Sequence, residues 1–162
     1  IRTYVADAPG TTEWDLHPER LEYLSTSGEW RALATRNTDP RNVPVGTSWS
    51  IALYVAGQLD YGESLTADRV TVDRFDPDNP DTAVPITVTG CSPDGGSGFR
   101  CTLADPDTTD GLWEAIHEGL VQFSTSIDTS GLSDQIIGNN DADFTVNVGC
   151  GSRFPFPVDV AE

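Results

Sequence analysis

The chain has 162 residues, 37% of them hydrophobic, with nine basic against 26 acidic side chains and a net charge of −17. That length suits one domain burying about 70% of its unfolded surface, and the charge sets it against nucleic acid and anionic membranes as partners. No run approaches the roughly 18 apolar residues of a membrane span, while four Trp, four Tyr and six Phe argue against disorder.

All nine basic residues are Arg, none is Lys, and the acids divide into 18 Asp and eight Glu. Short carboxylates that hold water and cations, with the long hydrated Lys avoided, are the mark of a halophilic proteome. A GC-rich genome also trades Lys for Arg but does not account for the acid excess. Self-repulsion at this charge weakens the compact state at low ionic strength, and about 1 M salt shortens its reach to about 3 Å. The chain begins at Ile1 rather than Met, from which a removed leader or a trimmed chain is expected. The lack of a long apolar N-terminal helix speaks against a type IV pilin or archaellin, unless that helix has been cut away. There is no Asn-x-Ser/Thr acceptor, so N-glycosylation is not expected.

Taken in order, Ile1 to Ala8 reads as a strand ended by Pro9-Gly10, and His17-Pro18 interrupts the run that Trp14 and Leu16 begin. Arg20 to Leu24 and Trp30 to Thr35 form the arms of a hairpin through Ser25 to Gly28. Asn37 to Pro44 reads as a loop, because Asp39-Pro40 and a second Pro forbid ladder bonds. Trp49, Ile51, Leu53 and Val55 then recur at a spacing of two, bounded by Gly46 and Gly57. This is the central strand, and Ala52 and Tyr54 on its other face imply cover on both sides.

Arg69 to Phe75 alternates, with Val70 and Val72 inward, and Asp76 to Asp81 follows as a rigid acidic loop. Ile86 and Val88, then Phe99, Cys101 and Leu103, make a hairpin around the glycine-rich turn 92–98. Asp105 to Asp110 is a second acidic loop. Leu112, Trp113, Ile116 and Leu120 share one face of a short helix near 110–118, capped by Thr109 or Asp110. From Val121 the period returns to two, through Phe123, Thr125 and Ile127, and again through Phe144, Val146 and Val148. Phe154-Pro155-Phe156-Pro157-Val158 alternates aromatic with Pro and must be extended. The fold expected is all-β: one β-sandwich over 1–162, immunoglobulin-like or jelly-roll, with strand-like ends at 1–8 and 154–160.

Three cysteines require a pairing. Cys91 and Cys101 flank the hairpin turn and are the chosen disulfide, although their parities match only if Gly90 makes a bulge. Cys150 is then odd: buried and inert, bridged to another chain, or the true partner of one of the others. A bridge implies an oxidising compartment.

Oxygen ligands at alternate positions of a turn suit Ca²⁺. Asp76, Asp78 and Asp81 in one loop, and Asp141 and Asp143 beside Asn139 and Asn140, are the candidate calcium ligands; Asp105, Asp107 and Asp110 form a further cluster. The competing reading is solvated acidic loops, which 18 Asp scatter by composition alone. Enzyme signals are poor: His17 and His117 stand a hundred residues apart, and no nucleophile elbow or zinc-binding His pair occurs, so no enzyme is expected. Trp49 and Trp113 have core periodicity, which leaves Trp14 and Trp30 for an exposed platform.

Strand-like termini suggest assembly by strand addition, with Arg2, Thr3, Tyr4 and Val5 as the inserted strand and Phe154 and Phe156 at the other end. The function expected is therefore a secreted, acidic cell-surface structural protein. It would be a self-associating subunit of an extracellular, pilus-like filament or surface layer, with calcium as glue. The alternative is a non-catalytic carbohydrate- or protein-binding adhesion module.

Overall fold

The computed structural model describes residues 15–36, 41–60, 62–76, 79–94, 98–105, 112–114, 118–133 and 137–149. Over these the chain is a β-sandwich whose two leaves share one strand. The first leaf runs β2 (Trp30–Thr35), β1 (Asp15–Leu24), β5 (Ile51–Gln58), β8 (Phe99–Ala104), β7 (Asn79–Pro93). The second runs β7, β6 (Val70–Asp76), β10 (Gly119–Ile127), β11 (Asp141–Gly149), β3 (Arg41–Pro44). β7 pairs with β6 as far as Ile86 and with β8 from Thr87 onward, so this one strand turns the corner between leaves. β1 packs face to face on β10 and β11, which closes the sandwich.

Period-two alternation fills the space between the leaves. Ile51, Leu53 and Val55 of β5 meet Val70 and Val72 of β6, Phe123 and Ile127 of β10, and Phe144, Val146 and Val148 of β11 in one buried cluster. A chain of rings crosses it. Tyr23 lies 5.6 Å from Trp49, Trp49 stacks on Trp113 at 5.3 Å, and Trp113 meets Phe123 edge-on at 5.7 Å. Trp49 does not belong to β5. With Ser48 it forms β4 (Ser48–Trp49), which pairs with β9 (Trp113–Glu114) and so brings the two indoles together.

Four expectations about local structure are corrected. The short helix near 110–118 is not formed at its described positions: Trp113 and Glu114 are strand, and β10 has begun by Gly119. Leu120, read as part of the buried helical face, is 45% exposed. Residues 106–111 and 115–117 lie outside the described set. The loop read over 37–44 ends instead in β3, which lies parallel to β11, with Pro44 opposite Gly149; an edge strand needs ladder bonds on one side only, which Pro tolerates. The acidic loop 76–81 is largely strand at its described positions, since Asp76 ends β6 opposite Asn79 and Asp81 already lies on β7. His17-Pro18 does not end β1 either: a bulge at Glu19 absorbs the proline, and the strand continues to Leu24.

The hairpin of β7 and β8 carries a bulge at Thr89, between Val88 and Gly90, which sets Cys91 directly opposite Cys101. The two are joined by a disulfide with a sequence separation of 10. Closing so short a loop removes disorder from the unfolded chain, and Cys91→Ser with Cys101→Ser is expected to cost about 2–3 kcal/mol. Urea unfolding with and without reductant checks this, and wild type under reductant should match the double variant.

Candidate functional site

Wherever a strand alternates, the residues that do not enter the core face outward. On the first leaf these are Arg20, Glu22 and Leu24 of β1, Trp30 and Ala32 of β2, Ala52 and Tyr54 of β5, and Arg100 and Thr102 of β8. The register sets Arg20, Tyr54 and Arg100 in one row across three strands, and Ala32, Glu22, Ala52 and Thr102 in the next. Glu22 thus has an alanine on each side, which leaves room for longer neighbours to close over it. They do: Glu22 is 2% exposed on what would otherwise be an open sheet surface.

Both of its oxygens are taken. Arg20 Nε donates to Oε2 at 2.8 Å, and Arg100 Nε donates to Oε1 at 2.7 Å. Arg100 Nη1 also donates to Asp94 Oδ1 at 3.3 Å. The guanidiniums lie against rings, with Arg20 Cζ 4.2 Å from the centre of Tyr54 and Arg100 Cζ 5.6 Å from Tyr54 and 5.7 Å from Trp30. Such stacking is favourable because the ring face is electron-rich. Burial alone would lower the pKa of Arg100, but the hydrogen bond and charge of Glu22, joined by Asp94, outweigh it and the net direction is upward. Gly98 finishes the seat: a Cβ there would stand 2.5 Å from the Tyr54 hydroxyl oxygen. The Arg side chains stay 32% and 21% exposed, and Trp30 and Tyr54 are half-buried. The result is a fixed, solvent-facing patch of two rings and two guanidiniums on a chain otherwise dominated by carboxylates.

Of the sequence-based candidates, Trp30 belongs to this patch. Arg20, Glu22, Tyr54 and Arg100 were not anticipated, although the spacing of Arg20 and Glu22 by two is visible in the sequence. The described calcium candidates lie in two separate places. Asp76 ends β6 and Asp81 lies on β7, whereas Asp141 and Asp143 lie on the outer face of β11, where Ser124 donates to Asp143 at 2.8 Å. Asp78 is outside the described residues. Among those described, no three or more His, Cys, Asp or Glu side chains are grouped to hold a metal. Asp105, assigned to an acidic loop, is buried and forms an ion pair with Arg74 at 3.0 Å. Arg2, Thr3, Tyr4, Val5, Phe154 and Phe156 fall outside the described residues, as do Trp14, Asp107, Asp110, His117 and Cys150. His17 lies between two carboxylates, 3.3 Å from Asp15 and 3.0 Å from Glu19, beside a cleft of about 530 Å³ lined also by Thr35 and Arg36. No described helix is long and apolar enough to cross a membrane.

No family model matches the sequence, and no curated protein matches it. Among solved structures, the CARDB domain of a Pyrococcus furiosus protein, determined in complex with di-metal ions, is similar over 91% of this chain and 100% of its own. The identity is 14% and the TM-score 0.42.

Proposed function

We propose that this chain is a non-catalytic recognition module of the cell surface, which docks a partner on the outer face of the first leaf. The observation that carries the reading is Trp30 and Tyr54 bracketing Arg100, whose guanidinium is held by the buried Glu22 beneath. Trp, Tyr and Arg are the side chains that dominate binding energy at interfaces. Here their rotamers are set before any partner arrives, which lowers the ordering cost of association. The flat sheet suits an extended surface, whether glycan or protein, better than an enclosed small molecule. The disulfide supports an oxidising, extracellular setting. Filament or surface-layer assembly through 1–8 and 154–160 is an expectation from the sequence that this face does not require.

The test is co-sedimentation of the purified chain with cell envelopes of the organism that makes it, in molar salt. Trp30→Ala lies at the edge of the sheet and should leave the melting transition nearly unchanged. It is expected to weaken binding about 30-fold, the equivalent of a hot spot of about 2 kcal/mol. Periodate treatment of the envelopes abolishes binding if the partner is a glycan, and protease treatment does so if it is a protein. Undiminished binding by Trp30→Ala removes this face from consideration.

A further inference from the structure

Where β1 begins, a set of buried oxygens has no donor. Asp15 is 9% exposed, and its carboxylate is used unevenly. Oδ2 receives Asn139 Nδ2 at 3.2 Å and faces His17 Nδ1 at 3.3 Å, while Oδ1 is enclosed and has no hydrogen-bond partner. An ionised carboxylate only accepts, so Asn139 must turn its NH₂ toward Asp15, and this fixes its own oxygen. Asn139 Oδ1 is likewise enclosed without a partner. The two orphan oxygens belong to groups already in hydrogen-bond contact, so they share one small region. The next residue, Asn140, is 6% exposed, and its Oδ1 is also unpartnered.

The backbone around this region is held. Asp15 pairs with Gln58 of β5, and Asn139 ends the 3-10 turn Ile137–Asn139 that leads into β11. Asn140 accepts from the backbone N–H of Ile127 at 3.0 Å and donates from Nδ2 to Thr129 at 3.0 Å. Leaving buried acceptors empty is costly, and for a charged carboxylate it costs the most. Acceptors with no nearby donor describe a place for a positive ion.

We propose that Asp15 and Asn139 hold a hard divalent cation of the Ca²⁺ class. One carboxylate and one amide oxygen, completed by water, is hard-oxygen chemistry and does not suit a thiolate- or imidazole-seeking metal. The field of a chain carrying −17 concentrates divalent cations around it. This site is independent of the recognition face and of the acidic stretch 76–81; from the cluster expected over 139–143 it takes the Asn139 amide but not Asp141 or Asp143, and it adds Asp15 from another strand. Its position ties the start of β1, in one leaf, to the turn before β11, in the other.

The experiment is calorimetric titration of the chelator-treated chain with Ca²⁺ in 1 M KCl. One site is expected, with a Kd of about 10⁻⁴–10⁻³ M, the range of weakly coordinated extracellular sites. Asp15→Asn should weaken it at least about 10-fold, whereas Asp141→Asn with Asp143→Asn should change it less than about twofold, because those carboxylates reach water. If Asp15→Asn does not fold, Asn139→Asp serves instead. It sets two carboxylates side by side, so its melting temperature should fall in chelator and recover with Ca²⁺ by more than that of wild type. Absence of saturable binding by wild type, equal binding by Asp15→Asn, or an Asn139→Asp melt indifferent to Ca²⁺ would each overturn the proposal.

Discussion

Gly57→Ala is expected to destabilise the fold by about 3–5 kcal/mol, a loss large enough to leave most small domains marginal. Gly57 has φ +116°, a conformation that side chains resist. The strain alone costs about 1–3 kcal/mol. The greater obstacle is steric: a Cβ at Gly57 would lie 1.7 Å from the Asp15 carbonyl oxygen and 2.7 Å from its carbon. Those are backbone atoms of the neighbouring strand, so no rotamer change relieves the clash. Relief requires β1 to move away from β5 where Leu16 faces Gly57 and Asp15 faces Gln58. The Gly57 carbonyl also accepts from Gly98 N at 2.7 Å, so displacement there spreads to the turn before β8. Urea denaturation of wild type and Gly57→Ala measures the effect, and Gly46→Ala is a suitable comparison. Gly46 also has a positive φ, of 90°, but nothing stands within 4 Å of its added Cβ, so it should lose only the strain. Equal losses at the two positions would mean that close strand approach contributes nothing.

What was legible in the sequence and what was not divides along local and non-local lines. β5, β6, β8, β10 and β11 announce themselves, because inward residues recur every second position and a one-residue error would expose the whole set. Trp113, Ile116 and Leu120 also satisfy a helical spacing. Only the pairing of Trp113 with Trp49, more than sixty residues earlier, decides for strand. β3 was hidden by prolines that an edge position tolerates. The face proposed for recognition was half visible. Arg20 and Glu22 lie at a spacing of two, but the burial of Glu22 depends on Ala32, Ala52 and Arg100 from three other strands. The described members of the acidic clusters are spread for the complementary reason. Adjacency in sequence placed Asp141 and Asp143 together on a wet face, while a hydrogen bond from Asn139 to Asp15 spans 124 positions.

The second large effect concerns the ion triad of Arg20, Glu22 and Arg100 on the outer face of the first leaf, where which residues are removed should matter more than how many. Arg20→Ala with Arg100→Ala strands a carboxylate that is 2% exposed, and breaking a buried ion pair in this way costs about 3–5 kcal/mol. Glu22→Ala strands two guanidiniums instead, but these are 32% and 21% exposed and can turn to water. That cost is expected to be smaller, about 1–2 kcal/mol, and it arises from lost hydrogen bonds and loosened packing on Tyr54 and Trp30. The triple variant, lacking all three side chains, should then be more stable than the double-arginine variant, although it has lost more contacts, because no buried charge is left behind. Chemical denaturation of the three variants and wild type closes the cycle. A triple variant no more stable than the double would mean that Glu22 reaches solvent once the arginines are gone. The pinned geometry of Trp30, Arg100 and Tyr54 would then come from the rings themselves rather than from the carboxylate beneath them.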